Sequence, residues 1–311
     1  MMKATKARVT SRVAACAAVL AILGAAGAVP ALASPGTPAG GPPDIVTAPT
    51  LTAETHDGVV GYREVGQGSP VVLIMGFGGS MDNWPPSFVD ELAARHTVVV
   101  FDNAGIGDTA PVASPLSISA MAGQASALID TLHLGRTAVL GWSMGGMIAQ
   151  ALAVKHPDQV SRLILTSTQA GTGASLPIPP AAAAALASAN PATVLSVLFP
   201  PDQAAAAQAY LTGILQYPGF YGASDAVKSQ QTAAITQWMA GQDPAGRRLS
   251  RIQAPTLVAD GTLDQLNPVP NDQLLAHGLP CAHLLLYPDA GHAFLFQDAE
   301  QFVPAVERFL S

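Results

Sequence analysis

The stretch Leu140-Gly141-Trp142-Ser143-Met144-Gly145-Gly146 constrains this chain more than any other. Before it runs Thr137-Ala138-Val139-Leu140, a short apolar run of strand character, and after it residues 147–156 keep helical spacing until Pro157 stops them. Ser143 therefore belongs to a sharp strand-to-helix turn. Such a turn strains its serine and needs nearly side-chain-free residues two places before and two after it, so that strand and helix can approach. Gly141 and Gly145 fill those places. The three letters recur by chance in chains rich in Ala and Gly; the strand on one side and the helix on the other give them meaning.

The rest of the chain alternates in the same way. Residues 71–75 and 97–101 are continuous apolar runs, as expected for strands buried on both faces. Residues 83–95 and 118–132 read as helices, while 162–166, 256–259 and 284–287 read as further strands. Phe302, Val306, Phe309 and Leu310 mark the buried stripe of a closing helix. Residues 52–56 and 59–63 flank Asp57-Gly58, a dipeptide that favours a tight hairpin. This alternation predicts an α/β fold, a mostly parallel sheet with helices on both faces. From 167 to about 251 the rhythm breaks: residues 181–189, 191–198, 203–215 and 226–239 read as helices, and no strand separates them. That interval is expected to be a helical cap. Asp202 is the only charged residue between Ser167 and Gly222, so the cap is expected to present apolar surface.

Composition narrows the partners. With 49% hydrophobic and 11% charged residues the chain is not disordered, and a formal charge of −7 with no Lys/Arg-rich run after the first dozen residues excludes nucleic acid. Lys3, Lys6, Arg8 and Arg12 precede an uncharged apolar run over 13–29, and Ala31-Leu32-Ala33 fits a small-x-small cleavage site. Residues 1–33 thus read as a secretory signal peptide, 34–49 as a Pro/Gly-rich linker and 50–311 as the folded domain. Cleavage would remove four basic and no acidic residues, taking the formal charge from −7 to −11. The protein is expected to be secreted, with membrane contact only through the signal segment if that segment is retained as an anchor.

A serine hydroxyl is a poor nucleophile at neutral pH unless a base reaches it and a third group orients the base. Of the seven histidines, His292 stands apart: it lies in Asp289-Ala290-Gly291-His292-Ala293-Phe294, directly after the last strand, where a loop at the carboxyl edge of the sheet can carry it over Ser143. The orienting acid cannot follow the strand 162–166, since no Asp or Glu occurs between Asp158 and Asp202. It follows the next strand, in Asp260-Gly261-Thr262-Leu263-Asp264, where Asp264 reaches out of the sheet better than Asp260. The backbone amides of Met144, at a helix start, and Phe77, within Gly76-Phe77-Gly78-Gly79, are candidate donors to a developing oxyanion. Gly76, Trp142 and Phe294 are expected to touch substrate. No metal or organic cofactor is implied.

These motifs together resemble the α/β-hydrolase fold family, in the branch of esterases, lactonases and cofactor-free haloperoxidases. The likeness covers residues 50–311 and rests on Met75-Gly76-Phe77-Gly78-Gly79, Phe101-Asp102-Asn103-Ala104-Gly105-Ile106-Gly107, Gly141 to Gly146, Asp264 and Gly291-His292. The resemblance implies an eight-stranded sheet, a cap after the sixth strand and hydrolysis of an ester or lactone through an acyl-serine; Trp84, Trp142, Phe77 and Phe294 with the apolar cap point to a small substrate carrying an apolar group. Perhydrolase or haloperoxidase-like activity on the same triad is an alternative, as is a non-catalytic small-ligand binding protein of the same fold. Two departures stand out. Met75 occupies a place where relatives carry histidine, which implies an oxyanion loop without that side chain's hydrogen bonds, and Ala104 replaces a frequent arginine, which implies a looser connection after strand four.

Overall fold

The computed structural model describes residues 43–112 and 115–311. Eight strands form one sheet in the order β1-β2-β4-β3-β5-β6-β7-β8. They are β1 (Leu51–Thr55), β2 (Gly58–Val65), β3 (Ser69–Ile74), β4 (His96–Phe101), β5 (Thr137–Trp142), β6 (Val160–Thr166), β7 (Thr256–Gly261) and β8 (Ala282–Tyr287). The β1–β2 hairpin turns at His56-Asp57, with Gly58 already paired to Thr55 rather than in the turn, and joins β4 antiparallel; from β4 to β8 all pairings are parallel. The sheet is the predicted one.

The continuous apolar runs are explained by what covers them. Val72 and Ile74 of β3 face one core, with Ile148 and Leu152 of α3 (Met144–Lys155) and Leu128 of α2 (Ile118–Thr131). Val71 and Leu73, one residue out of phase, face the other, with Phe88 and Leu92 of α1 (Pro86–Ala93) and Phe302 and Val306 of α10 (Ala299–Leu310). Successive residues of a strand point to opposite faces, so a strand covered on both sides has no polar phase to show.

Between β6 and β7 lie α4 (Pro180–Leu186), α5 (Pro191–Leu198), α6 (Ala204–Ile214) and α7 (Asp225–Met239), followed by a short 3-10 segment, Gly246–Arg251. This is the expected insertion. The remaining helices are α8 (Val269–Gly278) and the single turn α9 (Phe294–Gln297). Helix α8 escapes a reading of apolar spacing because its buried residues include Asn271 and Asp272 beside Leu275.

Two boundaries differ from expectation. The helix predicted over 83–95 is a 3-10 turn, Met81–Asn83, and then α1, because the pair Pro85-Pro86 cannot sit inside a continuous helix but suits a helix start. The linker predicted over 34–49 ends earlier. Asp44 caps its own turn by accepting from Val46 N at 3.0 Å, Ile45 is fully buried in the core under α1, and its amide donates to Asp90 Oδ1 at 2.9 Å. The expected signal peptide, residues 1–33, and residues 34–42 of the expected linker lie outside the described residues.

Candidate active site

Ser143 has φ 57° and ψ −121°, a left-handed conformation rare for a residue with a side chain. Its amide donates to Thr166 O at 2.9 Å and its carbonyl accepts from Thr168 Oγ1 at 2.7 Å, so the end of β6 clamps the turn from both sides. The two flanking glycines are steric necessities: a side chain on Gly141 would run into the carbonyl of Gly145, and one on Gly145 into that of Ile74. The turn leaves Ser143 half-buried, at the floor of a cavity of about 560 Å³ beneath the cap.

His292 lines the same cavity. Its Nδ1 lies 2.7 Å from Asp264 Oδ2, and its carbonyl accepts from Trp142 Nε1 at 3.0 Å and Ser167 Oγ at 2.8 Å. The ring is thus fixed through its partner and the backbone through two donors. Asp264 is fixed in turn by its other oxygen, which accepts from the amides of Leu266 at 2.6 Å and Asn267 at 2.9 Å. Among the described residues no direct hydrogen bond joins Ser143 Oγ to the imidazole, a looseness common in unliganded sites that tightens with substrate.

Asp260 does not compete for this role. It ends β7 fully buried, with Oδ1 accepting from Ser167 Oγ at 2.8 Å and Oδ2 from Asn267 Nδ2 at 2.8 Å. The same Asn267 nitrogen donates to Asp272 Oδ1 at 2.7 Å. Burial foremost, and then the negative charge of Asp264, push the carboxyl of Asp260 well above the usual range and that of Asp272 up to about 8. Beneath the Asp264–His292 pair, Asp272 therefore holds its proton at neutral pH.

The amides of Phe77 and Met144 have no protein acceptor among the described residues, and Gly76 lies so close to Ser143 that a side chain there would stand 3.1 Å from Ser143 Cβ. The loop carrying Phe77 is not loose, contrary to what Met75 implies. Gly78 N donates to Gln231 Oε1 of α7 at 2.8 Å, Gly78 O accepts from Ala223 N at 3.0 Å, and Gly79 pairs with Gly222 in an isolated antiparallel bridge. Ser80 Oγ donates to Tyr221 O at 2.7 Å. The segment after β4 is tied as well, so Ala104 leaves no slack: Asn103 Nδ2 donates to Met75 O at 2.8 Å, while Asp102 accepts from Met81 N at 2.7 Å and from Tyr221 Oη at 2.5 Å. Burial is the main cause that pushes Asp102 up to about 6. Tyr221, Gln231, Asn267 and Asp272 carry no motif; only their contacts, some from more than a hundred residues away, reveal them.

Of the expected substrate contacts, Gly76 and Trp142 line the cavity. Phe294 does not. It is fully buried, with Tyr287 and Phe302 at ring-centroid distances of 4.9 and 5.1 Å, because the turn after His292 directs it into the core under α10. The cavity wall comes from the cap instead: Leu186 of α4, Val194, Leu195 and Leu198 of α5, and Leu211 and Ile214 of α6.

Comparison with known proteins agrees with this architecture. The chain is 31% identical over 278 residues to a protein named as a carbamate hydrolase, RutD, of Caulobacter sp. (strain K31), covering 84% of this chain and 96% of that one. It is 30% identical over 264 residues to a protein named as a non-heme bromoperoxidase, BpoC, of Mycobacterium tuberculosis, covering 80% and 97%. An α/β-hydrolase fold protein from Chitinophaga pinensis superposes with a TM-score of 0.73 at 28% identity over 86% of this chain and 99% of its own. Est816, described as an N-acyl homoserine lactone degrading enzyme, superposes with a TM-score of 0.66 at 27% identity, over 83% of this chain and all of its own. A family model, described as alpha/beta hydrolase fold, matches residues 69–299. The chain belongs to the α/β-hydrolase fold family.

Proposed function

We propose that this protein is an exported serine hydrolase that cleaves a carboxylic ester or lactone carrying an apolar group. The observation that carries the reading is the 2.7 Å contact between His292 Nδ1 and Asp264 Oδ2 on the cavity whose floor is the strained Ser143. Asp264 holds the imidazole with its proton on Nδ1, which leaves Nε2 free to accept the Ser143 proton as Oγ attacks the carbonyl carbon. The carbonyl oxygen gains the negative charge and is met by the amides of Phe77 and Met144, the latter at the positive end of α3. Collapse of the tetrahedral species breaks the bond to the alcohol oxygen, which takes the proton from His292. Water then repeats the sequence on the acyl-serine and releases the acid.

The apolar cap wall supports a substrate with an alkyl or acyl arm, and the description of Est816 supports a lactone. The likeness to BpoC supports perhydrolysis as a second reading, in which peroxide replaces water in the final step. Export rests on residues 1–33 and places the mature start at Ser34. The test is fluorophosphonate labelling of the purified protein and its Ser143→Ala variant, followed by turnover of p-nitrophenyl esters of increasing chain length. Serine-dependent labelling with a preference for longer chains is expected; a protein that neither labels nor turns over any ester refutes the assignment. Amino-terminal sequencing of protein recovered from the medium tests export.

A further inference from the structure

The cavity wall carries one ammonium group. Lys228, in the first turns of α7, and His292 are the only side chains able to bear positive charge on a lining otherwise made of apolar residues, glycines and a few neutral polar groups. The Lys228 stem is laid across Gly78: its Cε, Cδ and Cγ lie 3.4, 3.9 and 3.7 Å from where a side chain on that glycine would begin. Half-buried in this way, the Lys228 ammonium makes no hydrogen bond or ion pair among the described residues, although the chain carries 21 acidic residues against 14 basic ones. A lysine on an apolar wall ordinarily takes its ammonium to water or to a carboxylate. No protein carboxylate pairs with this one, and the stem is held beside the residue that follows Phe77.

We infer that Lys228 binds an anionic group of the substrate, so that the natural ester or lactone is an amphiphile with a carboxylate close to its scissile carbonyl and an apolar arm along α5 and α6. The inference rests on the serine-hydrolase reading for the position of the carbonyl. Gly78 adjoins Phe77, whose amide meets the carbonyl oxygen, so the ammonium lies within reach of a substituent a few bonds away. A monoester of a dicarboxylic acid has that shape. The apolar arm fills the space bounded by Leu195, Leu198 and Ile214, and burial of that arm supplies affinity. The charge supplies selection between otherwise similar esters, with a strength that falls as salt screens it.

The test compares mono-p-nitrophenyl adipate with p-nitrophenyl hexanoate, which differ by the carboxylate, on wild type, Lys228→Met, Lys228→Arg and Lys228→Glu. Relative to wild type, the adipate-to-hexanoate ratio of kcat/KM is expected to fall about tenfold in Lys228→Met, to fall further in Lys228→Glu and to persist in Lys228→Arg. A ratio in Lys228→Met within about twofold of wild type overturns the inference, as does an equal loss on both esters. Calorimetric binding of decanoate against decanamide separates this result from failure of the serine chemistry. Decanoate preference lost in Lys228→Met upholds the anion site even in a protein that labels with no fluorophosphonate, and no preference in wild type refutes the site even in an active enzyme.

Discussion

At Ser143 the chain accepts a backbone conformation that most residues avoid, and the surrounding contacts show why it persists. A positive φ at a serine costs of order 1–3 kcal/mol and survives only where neighbours over-determine it, as Thr166 and Thr168 do here. The two aspartates divide their work by their partners, since both side chains are fully buried. Asp264 receives two amides and the imidazole, whereas Asp260, four residues earlier and still in the sheet, receives the Ser167 hydroxyl, the Gly261 amide and the Asn267 side chain, and no imidazole. Asp264→Asn is therefore expected to lower kcat about 10⁴-fold with the fold intact, since the amide can present its N–H to Nδ1 and select the wrong tautomer; stopped assays beside a circular dichroism spectrum check this. The raised carboxyl of Asp272 makes a second prediction. Asp272 binds a proton in the folded chain up to about pH 8, while an unfolded aspartate releases it above about pH 4. Unfolding thus loses a proton between those values, and stability declines as pH rises through that window. Asp272→Asn is expected to flatten the fall in Tm between about pH 5 and pH 9, measured by thermal scans in a buffer series. Serine, histidine and the acid were legible because each follows a strand in the order such a site requires. Phe294 was not, because sequence proximity to His292 says nothing about which side of the turn a ring takes.

Among the elements, strands and flanking helices follow directly from apolar runs and helical spacing, and α8 was hidden by buried polar residues that spacing reads as solvent-facing. The cap's existence was also legible, from four helical segments with no strand between them. Its role was not. Helices α4 to α6 wall the cavity, but α7 and the segment before it hold the loop of Phe77 through Gln231, Ala223 and Gly222. No local signal connects residue 78 with residue 231, and a methionine in place of a histidine suggested weakness where the structure supplies a different fastening. Gln231 is fully buried, so Gln231→Leu leaves the Gly78 amide without an acceptor and lets the loop shift. The expected result is a fall in kcat of about 10-fold or more with little change in KM for short esters, because the donor acts on charge that develops only in the transition state. A rise in KM alone would show that the contact serves the cavity wall.

For the whole molecule, two cores on either face of one sheet must be sealed at their edges, and the chain before β1 does part of that sealing. Composition marked residues 34–49 as linker because prolines and glycines dominate them; Ile45 and Val46 side by side in a stretch of Pro, Gly and Ala carry no period. Ile45 nevertheless fills the second core. Ile45→Ala is expected to cost about 2–5 kcal/mol in urea unfolding and to leave ester turnover in native buffer unchanged.

The fastening of α7 to the loop after β3 bears on how such a protein can change its substrate. A cap is often pictured as an interchangeable module seated over a finished reaction centre. Here one end of the module is part of the centre, since Gly78 and Gly79 lean on residues 222, 223 and 231 for their position. Variation confined to α4, α5 and α6 can reshape the greasy wall at little risk, while recombination that exchanges the stretch from 221 to 231 replaces the fastening together with the wall. Libraries meant to broaden specificity should therefore diversify the first three cap helices and inherit the fourth, and natural drift in this lineage should be freer in the former than in the latter.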